Sequence, residues 1–379
     1  MLLGESTHGT REYYVERARL THELIAHHDA RAVAIEGDWS GAERVNRYVR
    51  GLGPDRSAAE ALSDFRAFPG WMWRNVEFRD FVEQLRTVNL ARPVEQRIGV
   101  YGLDVYDLFD AGDAVVAYLD RVDPAAAARA RVHLKCFARH GRSTDRYALA
   151  VRRGSSCESA AEAVQAELAR LRTPAPDQAD VRFAVERAAA TVVAGEEYFR
   201  VLQTTGYAWN ARDRRMAAGA RQIASHLSRA GQPAKVVIWA HNTHVGDASE
   251  TSMRERGELS LGQLLRADGA FLVGFMTAGG KVLAAEEWDG PAKVRTLREP
   301  LAGSHEAELA GQAGDGRLVR ILRGLPRAGR KLQRAVGVVY APASEKVSHY
   351  ITAHLERQFD AVVFLPRTSA VTPLPGARG

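Results

Sequence analysis

Six short apolar runs, divided in many places by segments with helical periodicity, restrict this chain to one broad class of fold. The runs are Ala32 to Ile35, Ile98 to Leu103, Val236 to Ala240, Phe271 to Met276, Val336 to Tyr340 and Ala361 to Leu365, with a scrap of the same kind at Met1 to Leu3. Runs of this length without polar alternation read as strands buried on both faces. Their alternation with helices predicts an α/β protein whose mostly parallel or mixed sheet is flanked by helices. The first helix is expected over Arg11 to His28 with Thr10 as its N-cap. From about Asp107 to Ala230 the pattern changes to Ala-, Leu-, Glu- and Arg-rich helical stretches without a strand, with turns at Gly154-Ser155-Ser156 and Thr173-Pro174-Ala175-Pro176. The expected organisation is an α/β core over 1–106 and 231–370, a helical insertion or cap over 107–230, and a loose tail over 371–379 that includes Thr372-Pro373-Leu374-Pro375-Gly376.

Composition removes several function classes. The net charge is +6, but the cations are mostly Arg interleaved with Asp and Glu rather than gathered in a block, so a salt-laced surface is expected and no nucleic-acid partner. No apolar run approaches the roughly 20 residues that span a bilayer, so no membrane partner is expected. Cys136 and Cys157 stand alone, which supports neither a disulfide framework nor a structural zinc site and fits a reducing cytoplasm. No signal peptide is read, because the most informative motif begins at Gly4; only Met1 to Leu3 are left for the first strand, so the natural chain is expected to begin upstream.

Polar residues follow the apolar runs one after another. Glu5 and His8 follow the first, Glu36 and Asp38 follow Ile35, Asp104 follows Leu103, and His241 and His244 follow Ala240. Ligands of open α/β sheets sit beyond the carboxyl ends of the strands, so these groups are expected to converge there. Arg17 shares a helical stripe with Tyr13, Leu20 and Leu24, and a guanidinium on an apolar face needs a carboxylate, for which Glu5 and Glu36 are the candidates. His241 and His244 invite a metal reading, yet a third ligand and the H-E-x-x-H pattern are missing. A serine nucleophile is disfavoured, since no G-x-S-x-G elbow occurs. Trp71-Met72-Trp73-Arg74-Asn75 is either the wall of a ligand pocket, with Trp73, Arg74 and also Asp104 as substrate-binding candidates, or a core plug. Ser348-His349-Tyr350 reads as the structural start of a late helix.

Taken together, Leu3-Gly4-Glu5-Ser6-Thr7-His8-Gly9-Thr10, Ala34-Ile35-Glu36-Gly37-Asp38-Trp39, Trp71-Met72-Trp73-Arg74-Asn75, Tyr101-Gly102-Leu103-Asp104 and Trp239-Ala240-His241-Asn242-Thr243-His244-Val245-Gly246 resemble the erythromycin esterase family. The likeness extends to Gly257-Glu258-Leu259-Ser260-Leu261-Gly262-Gln263-Leu264 and to Gln333-Arg334-Ala335-Val336-Gly337-Val338. The motif wording is closest to the broad esterase-like group, some of whose members are labelled after succinoglycan biosynthesis. The resemblance implies hydrolysis of a lactone or other carboxylic ester, with macrolide antibiotics as the family's substrates, without a metal or other cofactor. It implies His8 as the general base that activates water, Glu5 as its orienting carboxylate, and Arg17, Glu36, His241 and His244 in the same cleft. Two other readings stay open: a metal-dependent hydrolase using His241 and His244, and a non-catalytic binder of a small molecule.

Overall fold

The computed structural model describes every residue except 173, 174, 176, 177, 206, 230, 378 and 379. The turn expected at Thr173-Pro174-Ala175-Pro176 therefore lies largely outside the described residues. The fold is mixed α/β. Strands β1 (Leu2–Leu3), β2 (Ala30–Ile35), β3 (Gly99–Gly102), β4 (Lys235–Trp239), β5 (Leu272–Ala284), β6 (Lys293–Leu297), β7 (Leu318–Ile321) and β10 (Ala361–Thr368) form one sheet of order β3-β2-β4-β1-β5-β10-β7, with β6 on β5. The contacts of β1 with β4 and β5, of β2 with β4 and of β5 with β10 are parallel, whereas β7 and β6 run antiparallel. A separate pair is made by β8 (Lys331–Arg334) and β9 (Tyr350–Ala353).

Although β1 is two residues long, it lies in the middle of the sheet. Leu2 and Leu3 are fully buried, and the Met1 amino group donates to the Val236 carbonyl at 2.9 Å. The register places Leu3 beside Trp239, and Trp239 beside Ile35. Three parallel strands thus end level with one another, and whatever follows each of them emerges at a single edge.

Helix α1 (Arg11–His27) packs against β2 and β10 with a face different from the one expected. Its buried residues are Tyr13, Tyr14, Arg17, Thr21 and Ile25, while Leu20 and Leu24 are half-buried. The spacing is one turn plus a fraction, and the stripe turns toward Thr21 because its hydroxyl accepts from Trp239 Nε1 at 3.0 Å. Thr10 precedes the helix but its side chain does not cap it; the hydroxyl bonds that of Thr7 instead.

Several expectations are corrected. Val336 to Tyr340 is not a strand of the sheet but an extended connection with single bridges to Thr7 and Ala285. Ser348 ends a short helix (Glu345–Ser348), and Tyr350 opens β9. The tail is anchored rather than loose: Val371 and Leu374 are buried, Val371 N–H donates to the Gly9 carbonyl at 3.0 Å, and Leu374 N–H to that of Arg74 at 2.9 Å. Strands β6, β7 and β8 escaped notice because they are short, partly exposed and rich in Lys and Arg, the composition of edge strands.

The chain packs as two compact units, one of residues 1–36, 44–100 and 223–379 and one of residues 37–43 and 101–222. Helices α2 (Trp39–Val49), α3 (Ala58–Ala61) and α4 (Val76–Leu90) lie between β2 and β3; the second unit is helical and includes α5 (Leu108–Val122), α6 (Pro124–Ala138), α7 (Thr144–Arg152), α8 (Glu158–Ala169), α9 (Ala179–Thr205) and most of α10 (Trp209–His226). Within it, Cys136 and Cys157 form a disulfide that joins the end of α6 to the residue preceding α8. Two cysteines without a second pair supported no disulfide framework in the sequence, yet they form this single bond. The intervening turn and α7 bring the two Cα atoms to 5.8 Å, a proximity that linear spacing does not reveal. Among the described residues no helix is long and apolar enough to cross a membrane.

Candidate active site

The site grows out of the level strand ends of the first unit. After β1 comes Gly4, whose lack of a Cβ admits the Asn242 side chain: an added Cβ would stand 1.9 Å from Asn242 Oδ1. That amide is clamped to β5, donating to the Phe275 carbonyl at 2.9 Å and accepting from its N–H at 3.3 Å, while Asn242 N–H donates to the Glu5 carbonyl at 2.8 Å. The loop carrying Glu5 and the turn carrying His241 are thereby locked together. His8 is held from the other side, its N–H donating to the Val336 carbonyl at 3.0 Å and Val336 N–H to the Ser6 carbonyl at 2.8 Å.

Glu5 is the hub of the cluster. One oxygen accepts from His8 Nδ1 at 2.8 Å and the other from Arg17 Nη2 at 3.0 Å, all three residues being buried. Of the two carboxylates considered for Arg17, the structure selects Glu5. The Arg17 guanidinium also lies 4.7 Å from the Tyr14 ring centroid and 4.9 Å from that of Trp239, where cation–π attraction lowers the cost of its complete burial. Because Nδ1–H donates to the carboxylate, the neutral tautomer of His8 carries its free lone pair on Nε2.

Glu36 makes a second hub. Its Oε2 accepts from His241 N–H at 2.7 Å and its Oε1 pairs with His244 Nε2 at 3.2 Å. Trp73 steadies it from behind, donating from Nε1 to the Glu36 carbonyl at 3.0 Å. The His241 ring stands 4.8 Å from that of His8. Its Nδ1 accepts from Thr243 N–H at 3.3 Å and lies 2.8 Å from the Thr243 hydroxyl, so the proton of the neutral ring sits on Nε2. Burial, followed by the neighbouring His8, pushes the His241 imidazole down to about 3 against the opposing pull of Glu36, so the ring is neutral. Among the described residues His241 Nε2 makes no hydrogen bond of full geometry; it is buried near the Ser6 carbonyl, the last of the influences on the ring.

Glu5, His8, Arg17, Glu36, His241 and His244 are therefore brought together. Trp73 joins them through the Glu36 backbone, but its ring is buried against Tyr14 and Phe78 as part of a core plug. Arg74 turns to the C-terminal segment, donating to the Gly376 carbonyl at 2.7 Å and to that of Pro375 at 2.8 Å. Asp104 lies in the second unit and forms a two-pronged pair with Arg212, at 2.8 and 2.6 Å. Among the described residues no three His, Cys, Asp or Glu side chains cluster as metal ligands. Sequence reading missed Thr243, which sets the His241 tautomer, and Val336, which holds His8. A His-x-Thr turn start was available as a signal for the first; nothing local marked the second.

The family model described as erythromycin esterase matches residues 25–368, a range that includes Glu36, His241 and His244 and begins after Glu5, His8 and Arg17. The chain belongs to the erythromycin esterase family. Its fold is similar to a solved structure described as a succinoglycan biosynthesis protein (TM-score 0.75, 18% identity, 98% of this chain and 88% of that one). It is also similar to a Bacillus cereus protein (TM-score 0.79, 16% identity, 98% and 89% covered). A mutant of the erythromycin esterase EreC in its open conformation matches with a TM-score of 0.67 at 16% identity, over 97% of this chain and 90% of that one.

Proposed function

We propose that the chain is a carboxylic ester hydrolase, acting on a lactone or other ester without a metal, with His8 as general base. The observation that carries this reading is the Glu5–His8 hydrogen bond, which holds Nδ1–H and presents Nε2 as a base. In the reaction, Nε2 takes a proton from water as the water oxygen bonds to the ester carbonyl carbon and the carbonyl oxygen becomes an oxyanion. Collapse of that intermediate breaks the bond to the alkoxy oxygen, which receives the proton back from His8. Glu5 stabilises the transient imidazolium, and Arg17 orients Glu5 by donating to its second oxygen.

His241 supplies the complementary part. A neutral ring whose buried Nε2–H makes no hydrogen bond of full geometry is a donor for the developing oxyanion, an interaction often worth about 3 kcal/mol in a dry site. The metal reading is less favoured by the same geometry, since His241 Nδ1 faces Thr243 and His244 Nε2 faces Glu36. The test is a hydrolysis screen over macrolides, simple lactones and acyl sugars. On any ester that turns over, His8→Ala should lower the rate by roughly a hundredfold or more with the fold intact by circular dichroism. Parent-like turnover by His8→Ala would remove this mechanism.

A further inference from the structure

Among the described residues, no acid neutralises one guanidinium that the helical unit buries. Arg187, in the first half of α9, is 8% exposed, and its charged plane lies over Trp39 with 5.3 Å to the ring centroid. Its Nη1 donates to the neutral Gln222 Oε1 at 2.5 Å, while its Nε is buried with no hydrogen-bond partner among the described residues. The neighbouring charge that acts on it is another cation, Arg215, which is itself paired with Glu197. Other deeply buried arginines of this chain are treated differently: Arg17 faces Glu5 and Arg334 faces Glu345. Burial, and then Arg215, push the Arg187 guanidinium down to about 10, which leaves it charged at neutral pH. A buried charge without an opposite charge is costly to fold around, which makes this edge a candidate for a ligand that supplies one.

The surroundings indicate what that is. With Nη1 taken by Gln222, the Nε–Nη2 edge remains, and that edge matches the two oxygens of a carboxylate or phosphate. Gly219 on α10 borders it: a Cβ there would stand 2.8 Å from Nη2 and 3.4 Å from Cζ, so any larger residue would press onto the edge. Trp39, Tyr101 and Phe183 pack on one another beside it, and such apolar walls strengthen an ionic hydrogen bond. We propose that Arg187 anchors an oxyanion site in the helical unit, binding the carboxylate or phosphate group of a small molecule on its Nε–Nη2 edge. Nothing in this assignment draws on the ester chemistry proposed at His8.

Thermal unfolding of the full chain in sodium acetate, succinate or inorganic phosphate, each against chloride at matched ionic strength, tests it. The parent should show a saturable rise of roughly 3 °C at a hundredfold excess over Kd with carboxylates, with phosphate, or with both, and the pattern names the source. Arg187→Met should unfold at a higher temperature than the parent in chloride, because the uncompensated charge is gone, and should lose the oxyanion response. Gly219→Ala keeps the charge but crowds the edge, and should bind at least tenfold more weakly; this arm stands even where Arg187→Met fails to fold. A parent midpoint that treats the oxyanions like chloride overturns the proposal, as does a full response retained in Arg187→Met.

Discussion

At the scale of single residues, the cluster uses one carboxylate to define one histidine and burial to define another. Glu5 assigns the His8 proton through a direct hydrogen bond, whereas His241 is kept neutral mainly by its removal from water. The second device has a cost that pH exposes. An unfolded His241 takes up a proton as pH falls below 6.5, and the folded ring refuses it until about 3. Its contribution to stability is therefore whole above pH 6.5 and is lost as pH falls toward 3. His241→Gln should flatten that decline, narrowing the stability loss between pH 6.5 and about 4 by roughly 3 kcal/mol. Urea midpoints across this range check it; parallel curves for parent and variant would contradict the account.

At the scale of elements, three parallel strands ending in register do the positioning. β1 and β4 deliver Glu5 and His241 side by side, and β2 adds Glu36 from the other flank of β4. The junction between β1 and the turn after β4 is made through Asn242, and it tolerates nothing but glycine at position 4. Gly4→Ala should cost about 1–3 kcal/mol or more through the collision with Asn242 Oδ1, and should slow ester turnover because the His241 turn is displaced with it. Denaturant midpoint and rate should fall together. In Gly4→Ala combined with Asn242→Ala, part of the stability should return. A neutral Gly4→Ala would show the junction to be loose.

At the scale of the whole molecule, the two compact units are stabilised by different means. The first rests on the buried sheet, with Val33, Ile35, Ile238, Phe275 and Phe364 nearly or fully removed from solvent. The helical unit adds a covalent tie, the bond between Cys136 and Cys157 at a separation of 21 residues. Closing a loop of this length restricts the unfolded chain by about 3 kcal/mol. The paired substitution of Cys136→Ser and Cys157→Ser should lower stability by up to that amount, read as a lower guanidinium midpoint under non-reducing conditions. Equal midpoints for parent and variant would show that the tie contributes nothing.

How much was legible beforehand follows from the range of each signal. Apolar runs ending in Glu5, Glu36 and His241 were visible because strand burial and strand ends are written in contiguous residues. The same local patterning marked α1 and the helical stretch between β3 and β4. The buried face of α1 was misjudged by one position, because the partner that draws Thr21 inward is Trp239, far away in sequence. The pairing of Cys136 with Cys157, the anchored tail and the grip of Val336 on the His8 loop were equally hidden. By itself the sequence determined which residue types stand at the sheet's carboxyl edge, and hence the range of acid–base chemistry within reach. Only the tertiary structure decided that Arg17 faces Glu5 rather than Glu36, which His241 nitrogen bears the proton, and which buried arginine is left without an acid. Those are choices among partners, and partners are set by long-range packing and the dielectric it creates.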